Sequence, residues 1–142
     1  MCKQMAVFII LLLVLTGCGA GSYLDSEKQA AALLDAYETA IAAGNVDALD
    51  PILADMIRVS GVNISKHTYK QEVVADLGDL AEISNFEFAD RRYTSSLNTV
   101  TVIADRQHTI SDNDGETLSE KAVIFVIERK LPLMQWRIYQ VN

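Results

Sequence analysis

The chain has 142 residues, half of them hydrophobic, which suits one buried core and leaves no room for a second domain. Its formal charge of −7 sets it against phosphate backbones, so nucleic-acid binding is a poor fit. Both cysteines, Cys2 and Cys18, lie near the start, so no thiol from Gly19 onward could serve as a disulfide, a thiolate nucleophile or part of a zinc cluster.

The first element is the run Ala6 to Leu15, which carries no charge and follows Lys3. Basic residue, apolar run and small residues form the layout of a secretory signal. The run is shorter than the roughly 20 apolar residues of a membrane span, and it lacks the polar stripe of a helix packed on a core. Leu15-Thr16-Gly17-Cys18, which closes it, resembles the lipobox of bacterial lipoprotein precursors. The resemblance implies that residues 1–17 are a signal peptide cut after Gly17 and that lipid on Cys18 holds the chain to a membrane. Gly19 is not the aspartate associated with inner-membrane retention. In a cell with two membranes, the expected site is therefore the outer membrane, facing the periplasm. Residues 18–25 are read as the lipidated cysteine and a short tether, with Gly19-Ala20-Gly21-Ser22 flexible. The folded domain is 26–142.

Ser26, followed three residues on by Gln29, reads as a capping box. Leu33, Leu34, Tyr37 and Ile41 then recur at helical spacing, which predicts a helix over 26–43 ended by Gly44-Asn45. A second short helix is predicted over Val46 to Ala54, capped by Asn45. Met56–Ser60 and Val62–Ser65 read as extended pieces around a bend at Gly61. From Lys66, the set Tyr69, Val73, Leu77 and Leu80 predicts a third helix ended by Gly78. Ile83–Tyr93, Leu97–Ile110, Lys121–Arg129 and Met134–Val141 read as strands. Helices first and a meander of strands afterwards predict an α+β domain with three N-terminal helices on one face of an antiparallel sheet.

Leu33-Leu34-Asp35-Ala36-Tyr37, then Ala43-Gly44-Asn45-Val46-Asp47-Ala48-Leu49, then Leu53-Ala54-Asp55, is similar to the opening of the nuclear transport factor 2-like superfamily. The closing Trp136-Arg137-Ile138-Tyr139 agrees, so the resemblance runs from about Glu27 to Val141. It implies a cystatin-like cone, in which a curved antiparallel sheet wraps a long first helix around an apolar pocket. It also implies relatives of many functions, among them ketosteroid isomerases, polyketide cyclases and dehydratases, and small binding domains that often dimerise through the outer sheet face.

Tyr37 stands seven residues before the Ala-Gly-Asn turn, the place of the oxyanion-binding tyrosine in ketosteroid isomerases. An aromatic on this helix face is read first as core or pocket lining. Ungapped counting brings the isomerases' aspartate base onto Gly61, and neither Gly61 nor Ser60 can take a proton as a carboxylate would. Of the two histidines, His67 begins a helix, where it is expected to be exposed. His108 shares a strand face with Val100, Val102, Ala104 and Arg106. The pocket set is therefore Tyr37, Val100, Val102, Arg106 and His108, with Tyr37 and His108 the catalytic candidates. The alternative favoured for His108 and Arg106 is a solvent-wetted strand end.

Asp90 or Glu128 is expected to meet Arg106 if the charge clusters pair across strands. Asp55 is read as a surface residue at a helix end. Asp112-Asn113-Asp114-Gly115-Glu116 lacks the ligand spacing of a calcium loop and reads as a hairpin turn. No histidine or carboxylate spacing suggests a metal, and no motif calls for a cofactor. The functional expectation is a non-enzymatic, lipid-anchored domain that binds a small apolar ligand or a protein partner, with a homodimer as a further form. The alternative is a small cofactor-free lyase or isomerase, and a third reading is a dimer whose cone is filled by its own side chains.

Overall fold

The computed structural model describes residues 22–111 and 115–142. The signal segment, Cys18 and Gly19–Gly21 lie outside the described residues, as do Asp112, Asn113 and Asp114 of the hairpin turn.

Helix α1 (Ser22–Ala42) begins earlier than the periodicity predicts. Ser26 is a buried residue within it, not its cap, and Ser22–Asp25, read as tether, belong to its first turn. Ala30, Leu34, Tyr37 and Ile41 form its buried stripe, at the spacing that brings one helix face onto a core. The helix ends at Gly44, whose φ of 66° suits a residue without Cβ; the N–H of Asn45 reaches back to the Ala40 carbonyl at 2.9 Å.

Among the described residues there are two α-helices, not three. The predicted second helix is a four-residue 3-10 turn, Val46–Leu49, and Asn45 makes no side-chain cap there. Pro51 follows the turn, and the chain turns through it into strand β1 (Leu53–Val59), which takes Leu53 and Ala54 as buried strand residues. Pro51 cannot donate to an intrahelical bond, and only Leu49 of the turn is buried, so too little apolar surface favours a longer helix there. Asp55 consequently sits on a strand rather than at a helix end, and is exposed.

Strand β1 turns at Ser60-Gly61 into β2 (Val62–Ser65). Ser65 then caps α2 (Lys66–Leu77), its hydroxyl accepting the Thr68 N–H at 3.1 Å, and α2 buries Tyr69, Val73 and Leu77. After a 3-10 turn at Leu80–Glu82 come β3 (Ile83–Ser95), β4 (Thr99–Ile110), β5 (Glu116–Lys130) and β6 (Gln135–Val141).

The six strands form one sheet in the order β2-β1-β6-β5-β4-β3. It is mixed rather than wholly antiparallel, because β1 runs parallel to β6, pairing Leu53 with Ile138 and Val59 with Val141. Between Ala89 and Arg92 of β3, and between Val123 and Glu120 of β5, one extra residue faces the same short stretch of β4 around Asp105. Asp90 (φ 51°) and Ala122 (φ 59°) take the left-handed backbone at these bulges. The Asp105 carboxylate accepts the Ala122 N–H at 3.1 Å. Two bulges at one level bend both flanking strands together, which curves the sheet around α1.

Helix α1 is tied to the β3 bulge by charge. Arg91 donates to Asp35 and to Glu38, each at 2.7 Å, and Glu38 also accepts the Phe88 N–H at 2.6 Å. Burial opposes the guanidinium charge, but these carboxylates more than offset that and raise the Arg91 pKa. The core between helix and sheet joins Leu34, Tyr37 and Ile41 to Val100, Val102, Phe125, Ile127 and Ile138.

Candidate functional site

Alternation along β4 places Val100, Val102, Ala104, Arg106 and His108 on the face toward the helices, the first three fully buried. The register aligns Phe88, Arg106 and Glu120 in one row of that face and Phe86, His108 and Leu118 in the next.

Tyr37 reaches into the middle of the cone from α1. Its ring lies 5.3 Å from Phe88, 6.1 Å from Phe86 and 6.3 Å from Phe125, centroid to centroid, which is direct contact. Phe88 and Phe125 meet edge to face at 4.8 Å. The Tyr37 hydroxyl shares a buried hydrogen bond of 3.0 Å with the hydroxyl of Tyr69 on α2. Burial pushes the Tyr37 pKa up to about 12, and burial with the neighbouring phenol raises Tyr69 as well. Tyr69 was legible only as one of the apolar positions of α2. That its hydroxyl meets the hydroxyl of Tyr37 depends on how the two helices pack.

Arg106 does not meet Asp90 or Glu128. Its guanidinium bridges Asp76 of α2 at 2.6 Å and Glu120 of β5 at 2.8 Å, and its Nε is buried with no partner. Glu128 pairs with Lys130 instead. The Asp76 contact ties the second half of α2 to the sheet, and His108 is not at a wetted strand end: it is 6% exposed and packs 6.3 Å from the Phe86 ring. Its Nδ1 is buried without a partner. Burial, and then the nearby Arg106 charge, lower its pKa, with Asp76 opposing, so the imidazole is held neutral. His67 is exposed on the first turn of α2.

The predicted residues thus share one interior, but aromatic rings fill its middle. Two grooves lined by described residues lie outside that ring cluster. One, of about 730 Å³, lies between the ends of α1 and α2, and the other, of about 500 Å³, lies on the outer sheet face around Met56, Arg58, Glu128 and Tyr139. Among the described residues, no group of three or more histidines, cysteines or carboxylates could hold a metal ion. No described helix is long and apolar enough to cross a membrane.

No protein-family model and no curated protein sequence matches the chain. Solved structures do. A protein of Kribbella flavida, Kfla4162, superposes with a TM-score of 0.59 at 16% identity, over 82% of this chain and 90% of that one. The fold is nuclear transport factor 2-like. A protein of that fold from Rhodospirillum rubrum, of unknown function in nutrient uptake, gives 0.57 at 17% identity over 78% and 93%. One from Shewanella frigidimarina, provisionally described as a ketosteroid isomerase, gives 0.58 at 14% over 77% and 89%. At these identities the likeness establishes architecture, and neighbours this varied leave the activity open.

Proposed function

We propose that this chain is a membrane-anchored, extracytoplasmic lipoprotein whose domain works by binding at its surface rather than by catalysis inside its cone. The observation that carries the reading is the state of the interior. Tyr37 is packed by Phe86, Phe88 and Phe125, and its hydroxyl is engaged by another phenol, not by a carboxylate that could act as a base. A neutral phenol with a raised pKa, buried in aromatic rings, is a packing group with its one polar atom satisfied. The anchor is supported by Lys3, the apolar run to Leu15 and the Leu-Thr-Gly-Cys sequence. Cys18→Ser is expected to leave the domain folded and free of membranes on fractionation. A variant still sedimenting with membranes would contradict the anchor.

A second reading, a cofactor-free lyase or isomerase, draws on one observation: the unpartnered Nδ1 of the buried His108 beside Arg106. It requires a substrate to displace side chains and reach the imidazole. Titrating the labelled domain with a cyclic enone while following the His108 ring signals tests it. A saturable shift favours catalysis, and unmoved signals remove this reading.

A further inference from the structure

We propose that the domain makes a second contact with the bilayer through the tips of its β3–β4 and β5–β6 hairpins. This rests on the lipid-anchor reading and names which end of the domain the membrane meets. Half of the large hydrophobic side chains exposed among the described residues lie on these two tips: Leu97 (53%), Leu131 (82%), Leu133 (68%) and Met134 (43%). Apolar side chains scattered singly over a surface need no explanation, but a group gathered at one end of a sheet does.

The tips are tied together and to the start of the chain. Arg129 donates from Nε to the Asn98 side chain at 2.9 Å and from Nη2 to the Leu97 carbonyl at 3.2 Å, joining the β5–β6 stem to the β3–β4 tip. Ser95, at the base of the β3–β4 tip, donates to Glu27 in the second turn of α1 at 2.8 Å. Helix α1 therefore enters the fold at this end. Cys18 stands four residues before Ser22, and so short a segment spans at most about 15 Å of extended chain. An anchor there keeps this end of the domain, and not the opposite one, within reach of the lipid.

The chemistry of this end suits an interface. Trp136, the only tryptophan of the chain, sits at the stem with the Arg129 guanidinium 5.3 Å above its ring. Arg137 and Lys130, the latter paired with Glu128, line a groove of about 270 Å³ beside Leu131 and Leu133, which Asp55 also borders. Apolar tips backed by an indole and by basic side chains are the arrangement that places leucines among acyl chains and cations at the level of anionic headgroups.

The test is a nitroxide label on Leu133→Cys in the purified chain reconstituted into phosphatidylethanolamine–phosphatidylglycerol vesicles. A second sample carries the label on Val62→Cys, at the β1–β2 turn on the opposite end of the sheet. The expected result is that oxygen relaxes the 133 label more strongly than a water-soluble nickel chelate does, with the reverse at 62, and that adding Leu131→Asp lowers the lipid contact of the 133 label severalfold. Equal aqueous exposure at both positions would overturn the inference. So would a 133 label buried by association of two chains, seen as spin–spin broadening that dilution with unlabelled protein removes. Intact mass of the same sample separates the two readings. An acylated chain with an aqueous tip defeats only the tip contact, and an unacylated chain whose label enters lipid defeats only the anchor.

Discussion

Phe125 is the residue whose removal bears most directly on a filled interior. It is 1% exposed and touches Phe88 and Tyr37 edge on, with centroids 4.8 and 6.3 Å away. Truncating a phenylalanine in a close-packed core costs about 3–5 kcal/mol, from lost transfer energy and the cavity left behind. The two ring contacts, worth about 0.5–1.5 kcal/mol each, lie partly within that figure, so Phe125→Ala is expected to cost about 4 kcal/mol. Urea unfolding measures it. With a slope of about 2 kcal/mol/M, the midpoint should fall by about 2 M at unchanged slope. The hole would be apolar and dry, so benzene should bind it and restore part of the loss in proportion to its concentration. A cost below about 1.5 kcal/mol would refute the reasoning, because the ring would then border open, solvent-filled space.

Glu38→Ala removes the acceptor of the Phe88 N–H and one of two carboxylates on Arg91, and is expected to cost about 2–3 kcal/mol by calorimetry, with Glu38→Gln costing roughly half because its carbonyl still accepts. Equal stability of all three proteins would mean that α1 does not hold the β3 bulge. For His108, whose pKa burial and Arg106 lower, the unfolded chain takes up its proton near about pH 6.5, at a higher pH than the folded chain does. More protons on the unfolded state means that stability rises with pH in that window, so it should fall between about pH 7 and 5, and His108→Leu should flatten the slope by up to about 1.4 kcal/mol per pH unit. An unchanged slope would contradict a neutral, buried imidazole.

Much of this fold was legible where apolar spacing is regular. Leu34, Tyr37 and Ile41 marked the buried stripe of α1, and Val100, Val102 and Ala104 the inward face of β4, because each period reports burial directly. The Val46–Ala54 segment misled because its apolar residues fit either a short helix or a turn leading into a strand, and Pro51 decides for the latter only once β1 has β6 to pair with. The parallel β1–β6 pairing and the bulges at Asp90 and Ala122 carry no glycine or proline to announce them. The same limit applied at the site. The inward face of His108 followed from alternation, but its burial against Phe86, beside an Arg106 that pairs with Asp76 and Glu120, depends on elements distant in the chain. The exposed leucines of the β5–β6 tip were written in the sequence, yet only the contacts of Arg129 and Glu27 bring them to the end where the chain enters.

Native mass spectrometry of the mature protein released from membranes in mild detergent tests the anchored chain and the closed interior at once. The expected result is a chain beginning at Cys18, carrying acyl groups and no retained small molecule. A stoichiometric organic ligand on the intact domain would contradict the closed interior, and an unmodified N-terminal segment would contradict the anchor.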